Sequence, residues 1–78
     1  MITGSQIRMA RACLRWTAKD LAERSGVSWA TIQRMESADG VPSASGKNLE
    51  AVQRSLEAVG VEFTNANMPG VRLKRRQE

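Results

Sequence analysis

Few side chains here could make or break a bond. The 78 residues include no histidine and no tyrosine, and Cys13 is the single cysteine. Without an imidazole to take its proton, Cys13 is a poor nucleophile. Between Ala12 and Leu14 it reads as a small residue on a helix. One cysteine and no histidine leave no ligand set for structural zinc, and no intramolecular disulfide can form. No glycine loop has the spacing that cradles a nucleotide phosphate. No catalytic residue, metal or cofactor is therefore expected, and an enzyme is the least expected class. What remains is non-covalent recognition by arginine, lysine, glutamine, serine and threonine. Twelve basic residues against eight acidic ones give a net charge of +4. Such a balance suggests a polyanionic partner, most often nucleic acid, although it also serves solubility alone. Up to Val71 the charges nearly cancel, eight basic against seven acidic. Arg72, Lys74, Arg75 and Arg76 supply the excess, opposed only by Glu78.

The rest of the composition bounds the setting. A chain of this length is one domain, with a core modest enough that oligomerisation often supplements it. Hydrophobic residues at 41% and charged residues at 26% suit a folded globular chain. No run of about 18 apolar residues exists to span a membrane. The first ten residues lack the basic-then-apolar order of a signal peptide, so a cytoplasmic protein is expected.

The elements that must position the recognition residues are helical. A first helix is expected over Gly4–Leu14, capped by Thr3 or Gly4, with Ile7, Ala10, Arg11 and Leu14 on one face. Arg11 is out of place in that apolar company. A second helix begins at Thr17, which with Asp20 makes a weak variant of the capping box. Leu21 and Ala22 face inward, and Gly26 stops it. Ser28 caps a third helix over Trp29–Glu36, with Ile32 and Met35 on its apolar face. Residues 37–46 read as a loop. Ser45 then caps a fourth helix over residues 46–59, with Leu49, Val52, Leu56 and Val59 in a stripe before Gly60. Residues 61–64 and 71–74 alternate apolar and polar around the turn formers of 65–70, which predicts a short hairpin. The fold class is thus mainly α, four helices with a C-terminal β-hairpin. Residues 1–60 form the helical domain, and 61–78 form a hairpin and basic tail.

Residues 17–36 hold the informative pattern. Two short helices are joined by Ser25-Gly26-Val27-Ser28. Ala22 is small enough to let them cross closely, Gly26 tolerates a positive φ in the turn, and Val27 and Ile32 fill the angle between them. Such a geometry lets the second helix project into a major groove. Thr17-Ala18-Lys19-Asp20-Leu21-Ala22-Glu23-Arg24-Ser25-Gly26-Val27-Ser28, followed by Thr31-Ile32-Gln33-Arg34-Met35-Glu36, resembles the helix-turn-helix of the lambda-repressor-like family. That family includes the phage Cro and repressor proteins and the small XRE-type regulators. The resemblance covers about residues 7–59.

The resemblance assigns roles. The exposed face of the third helix, Ser28, Trp29, Ala30, Gln33 and Arg34, would contact base edges. Arg34 suits guanine, Gln33 adenine, and Ala30 or Trp29 a thymine methyl. The start of the second helix, Thr17, Ala18 and Lys19, would anchor a phosphate. Thr31, Ser43, Ser45 and Lys47 would add backbone contacts. Arg11 and Glu36 would form the structural pair that ties the first helix to the end of the recognition helix. One departure is that residues 37–46 contain Asp39 and no basic residue, where the family often grips phosphate. Val61, Phe63, Val71 and Leu73 would make one apolar face, folding back over the fourth helix in a monomer or meeting a symmetry mate in a dimer. For the third-helix polar residues the plainer reading is a solvated surface, and Trp29 could equally cover the junction of helices two and three.

The function expected is a sequence-specific transcriptional regulator that binds double-stranded DNA, a homodimeric repressor reading a palindromic site with half-sites about 34 Å apart. The alternative is a protein–protein module on the same scaffold: an adaptor, an antiactivator or an antitoxin, with a protein partner.

Overall fold

A computed structural model describes residues 2–64 and 68–74. In chain order it comprises α1 (Gly4–Leu14), α2 (Ala18–Ser25), α3 (Trp29–Glu36), α4 (Gly46–Ala58), β1 (Val61–Phe63) and β2 (Val71–Leu73). Each helix begins at a hydroxyl side chain that satisfies one of the backbone N–H groups the first turn leaves unpaired. Thr3 and Gln6 form a full capping box at α1, so Thr3, not Gly4, is its cap. Thr17 and Asp20 do the same at α2, Ser28 caps α3 and Ser45 caps α4. The ends are as local. Gly26 takes φ +74 and returns its N–H to the Ala22 carbonyl at 2.9 Å. α4 stops at Ala58, one residue short of the expected Val59, and Gly60 turns the chain at φ +100. Arg15 closes α1 in the left-handed region at φ 59, where a Cβ is ordinarily disfavoured.

The apolar stripes converge on one core of Ile2, Ile7, Ala10, Leu21, Val27, Ile32, Met35, Leu49, Val52, Leu56 and Val61. Every helix and the first strand contribute, and each fully buried leucine or isoleucine stabilises by about 2 kcal/mol relative to exposure. α2 packs against α3 and α4, α1 against α3 and β2, and β1 against α4. Trp16 packs on this core from the α1–α2 corner, with the Arg24 guanidinium stacked 4.4 Å from its ring centre.

The strands pair antiparallel, with Val61 opposite Leu73, Glu62 opposite Arg72 and Phe63 opposite Val71. Period-two alternation puts Val61, Phe63, Val71 and Leu73 on one face. On the other, Arg72 Nη2 donates to Glu62 Oε1 at 2.9 Å. The apolar face does fold back over α4, but β2 lies on α1 as well. Gln6 is the reason. Its buried side chain donates from Nε2 to the carbonyls of Thr64 and Gly70, each at 2.9 Å, while Oε1 accepts the Thr3 N–H. The hairpin therefore shares the helical core. Arg72, counted in the basic tail, is ion-paired. Arg75, Arg76 and Glu78, and residues 65–67 of the expected turn, lie outside the described residues.

Candidate nucleic-acid interface

α3 is only eight residues long, so its two faces are sharply divided. Ile32, Met35 and Glu36 are buried and fix it to the body. Ser28, Trp29, Ala30, Gln33 and Arg34 are all exposed, Trp29 at 46%. Trp29 is the one large apolar side chain of α3 left exposed. Thr31, expected at the DNA backbone, is half-buried and sits in a row of side chains. Its hydroxyl accepts from Ser28 Oγ at 2.9 Å and, at a long 3.4 Å, from Arg34 Nη2. That contact engages one of the five N–H donors of Arg34 and leaves the rest of the fork available.

The orientation of α3 is set from α1. Arg11 grips Glu36 bidentately, Nε to Oε2 at 2.7 Å and Nη2 to Oε1 at 2.8 Å, while its Nη1 donates to the Trp16 carbonyl at 2.9 Å. The hydrogen bond to Glu36 raises the Arg11 pKa above its ordinary value, partial burial opposes the rise, and the charge of Glu36 adds to it. The arginine on the apolar face is thus explained. It reaches past the core edge to a nearly buried carboxylate, whose removal from water is tolerable only with such a partner.

At the start of α2, Thr17 and Lys19 are exposed and Ala18 packs partly on the core. The Thr17 N–H is already donated to Asp20 Oδ2 at 2.8 Å, so it is withdrawn from the expected phosphate anchor. The N–H groups of Ala18 and Lys19, in the first turn, have no partner within the helix. Hydrogen bonds from the Thr17 backbone and hydroxyl lower the Asp20 pKa, so a fixed negative charge sits at this end. Lys19 stands beside it without an ion pair among the described residues.

Ser43, Ser45 and Lys47 are exposed where the chain leaves the loop and enters α4. Ser45 Oγ accepts the Asn48 N–H at 3.1 Å, which leaves its hydroxyl proton to give. Of the four residues expected to dimerise the chain, Val61 is in the core, and Phe63 and Val71 pack against it. Leu73 alone stays open, at 48%.

Three contributors escape a reading of the sequence. Gly4 lies so close to the carbonyls of Ala38 and Met35 that a Cβ there would overlap both oxygens. Gln6 holds the hairpin. Arg8 donates to Asp39, to Ser5 and to the Glu36 carbonyl. The acid of the loop is therefore neutralised from α1 and does not stand alone. Arg8 precedes Arg11 by three residues, a spacing that puts both on one side of α1 and was legible. Gln6 was legible only as the partner of the Thr3 cap.

No described helix is long and apolar enough to cross a membrane. A family model for a helix-turn-helix domain matches residues 3–64, which takes in all four helices and β1. No curated protein and no solved structure matches the chain.

Proposed function

The chain belongs to the helix-turn-helix domain family, and from that premise we propose that it is a sequence-specific transcriptional regulator, a dimeric repressor that reads a palindromic operator through the major groove. The observation that carries this reading is the division of α3. Ile32, Met35 and Glu36 clamp one side of it to the body, while Trp29, Ala30, Gln33 and Arg34 stand exposed on the other. Arg34 offers a fork to guanine O6 and N7, Gln33 an amide to adenine N6 and N7, and Trp29 and Ala30 apolar surface to thymine methyls. Ser28 at the helix start reaches a base edge or the adjacent backbone. Ala18 and Lys19 of α2, with Ser43, Ser45 and Lys47, hold phosphates to either side. The protein performs no catalysis in this reading and needs no cofactor or metal. Dimer contact involves Leu73 at the exposed end of the hairpin face.

The test is protection of genomic DNA fragments, including the region upstream of the chain's own gene, titrated against salt. A discrete two-fold site is expected, with Arg34→Ala weakening binding to it by about 10- to 100-fold. Binding with no discrete site that vanishes at moderate salt would reject the reading. It would turn attention to a protein partner for the exposed face of α3.

A further inference from the structure

Arg8 takes no part in the interface just described, yet it serves three acceptors at once. Its Nη2 donates to Asp39 Oδ1 at 2.8 Å and to Ser5 Oγ at 3.0 Å, and its Nη1 donates to the Glu36 carbonyl. Arg11 holds the carboxylate of that same Glu36. Two guanidiniums one helical turn apart therefore hold both ends of the residue that closes α3. The Glu36 carbonyl belongs to the last turn of the helix, where carbonyls lack intrahelical donors and the helix dipole is negative.

Beyond Glu36, Ser37 and Ala38 bond back to the last turn of α3 and Pro42 is buried, so between them the chain is held at Asp39 and Gly40 from α1. Ser37, Asp39, Gly40 and Val41 are exposed. The Gly4 N–H donates to the Gly40 carbonyl at 2.9 Å. Arg8–Asp39 is the one ion pair among the described residues that reaches this segment. The segment leads directly to Ser43, Ser45 and Lys47. Its course thus decides where those residues stand relative to Gln33 and Arg34.

We propose that Arg8 is a positioning residue for DNA recognition. By holding Glu36 and Asp39 together, it sets the register between the base-facing side chains of α3 and the backbone-facing side chains at the start of α4. The role rests on the DNA-binding reading above. A planar fork can serve acceptors lying in two directions, which a single ammonium does less well. Pairing also removes the net charge of an aspartate on a loop that faces phosphates.

The test compares Arg8→Gln, Arg8→Lys and Asp39→Asn with the unaltered chain. The readouts are affinity for the protected site, affinity for unrelated duplex and the salt slope of each, all normalised to the folded fraction. All three variants are expected to lower the ratio of specific to non-specific affinity about tenfold, the equivalent of one lost base contact. The non-specific salt slope should stay unchanged. A direct phosphate contact by Arg8 predicts otherwise. Arg8→Gln would weaken both affinities and cut the slope by about 0.9, Arg8→Lys would restore them, and Asp39→Asn would tighten both. That pattern overturns the proposal. So does an unchanged ratio, which would make Arg8 a stabilising residue only.

If the unaltered chain protects no site, the DNA reading fails by itself, and amide exchange without DNA decides whether Arg8 sets the loop. Arg8→Gln should speed exchange of the hydrogen-bonded amides of Gly4, Ser37 and Ala38 about tenfold and leave the amides of Leu21 and Ile32 unchanged. Equal exchange in both proteins would overturn that positioning.

Discussion

At the residue scale, the basic residues divide between holding and reaching. Arg8, Arg11, Arg54 and Arg72 are ion-paired to Asp39, Glu36, Glu50 and Glu62. Among the described residues the cations without such pairs are Arg15, Lys19, Arg24, Arg34, Lys47 and Lys74; Arg24 stacks on Trp16, and Lys19, Arg34 and Lys47 stand at the candidate interface. Net charge alone does not separate these groups. Asp20 works locally. Its carboxylate accepts the Thr17 N–H, and its pKa is lowered by that bond. A carboxyl whose folded pKa is depressed contributes stability above its unfolded value, and the contribution is lost as pH falls through the folded value. The stability gap between the chain and Asp20→Asn should therefore hold near neutral pH and narrow as pH drops below about 4. Paired denaturation curves from pH 7 to pH 2 measure it, and a gap constant to the acid end would remove the charge from the cap.

At the element scale, α1 frames α3, the helix that the proposed function places in the groove. It touches the end of α3 through Gly4, Arg8 and Arg11. The glycine matters here for closeness, because the obstructing atoms are backbone oxygens that cannot rotate away. Gly4→Ala should destabilise by about 2 kcal/mol despite alanine's better helix propensity. Gly46→Ala makes the opposite case, since nothing lies within 4 Å of a Cβ there and the backbone φ is ordinary for an L-residue. It should stabilise by about 0.5 kcal/mol. Urea midpoints with unchanged m-values check both. Equal signs for the two would show that α1 and α3 can separate without cost. The element boundaries themselves were legible. Thr17, Ser28, Ser45, Gly26 and Gly60 are local signals with local causes, and four helices appear where those signals put them, within one residue at the end of α4.

At the scale of the whole molecule, the hairpin is part of the body. Val61 is buried with the helical core, and Gln6 joins α1 to the carbonyls of Thr64 and Gly70. Gln6→Leu would keep the bulk but strand the Thr3 N–H and the Thr64 carbonyl, while the Gly70 carbonyl would keep only the Thr64 N–H at 3.1 Å, costing about 2 kcal/mol. In a domain of this size the melting midpoint should fall by roughly 10 °C. An unchanged midpoint would mean that the hairpin does not rest on α1. The arrangement bears on the proposed assembly too. Val61, Phe63 and Val71 are engaged within the chain, so in the proposed dimer a second copy would meet Leu73 and the strand edges, a smaller surface than the four-residue face read from alternation.

Periodicity, caps and turn glycines determined the element order, the two-helix motif and the exposed face of α3 from sequence alone. These depend on residues no more than a few positions apart, where spacing maps directly onto geometry. The family pattern carried Arg11 and Glu36, although they lie 25 residues apart. Only the tertiary structure decided the rest. It brought Arg8 to Asp39, fitted Gly4 under the Ala38 carbonyl, turned Gln6 toward the hairpin and assigned the Thr17 N–H to Asp20 ahead of any phosphate. Hydrogen-bond capacity is visible in a residue's type, but its partner is set by which distant backbone the packed core brings within about 3 Å. No spacing along the chain encodes that.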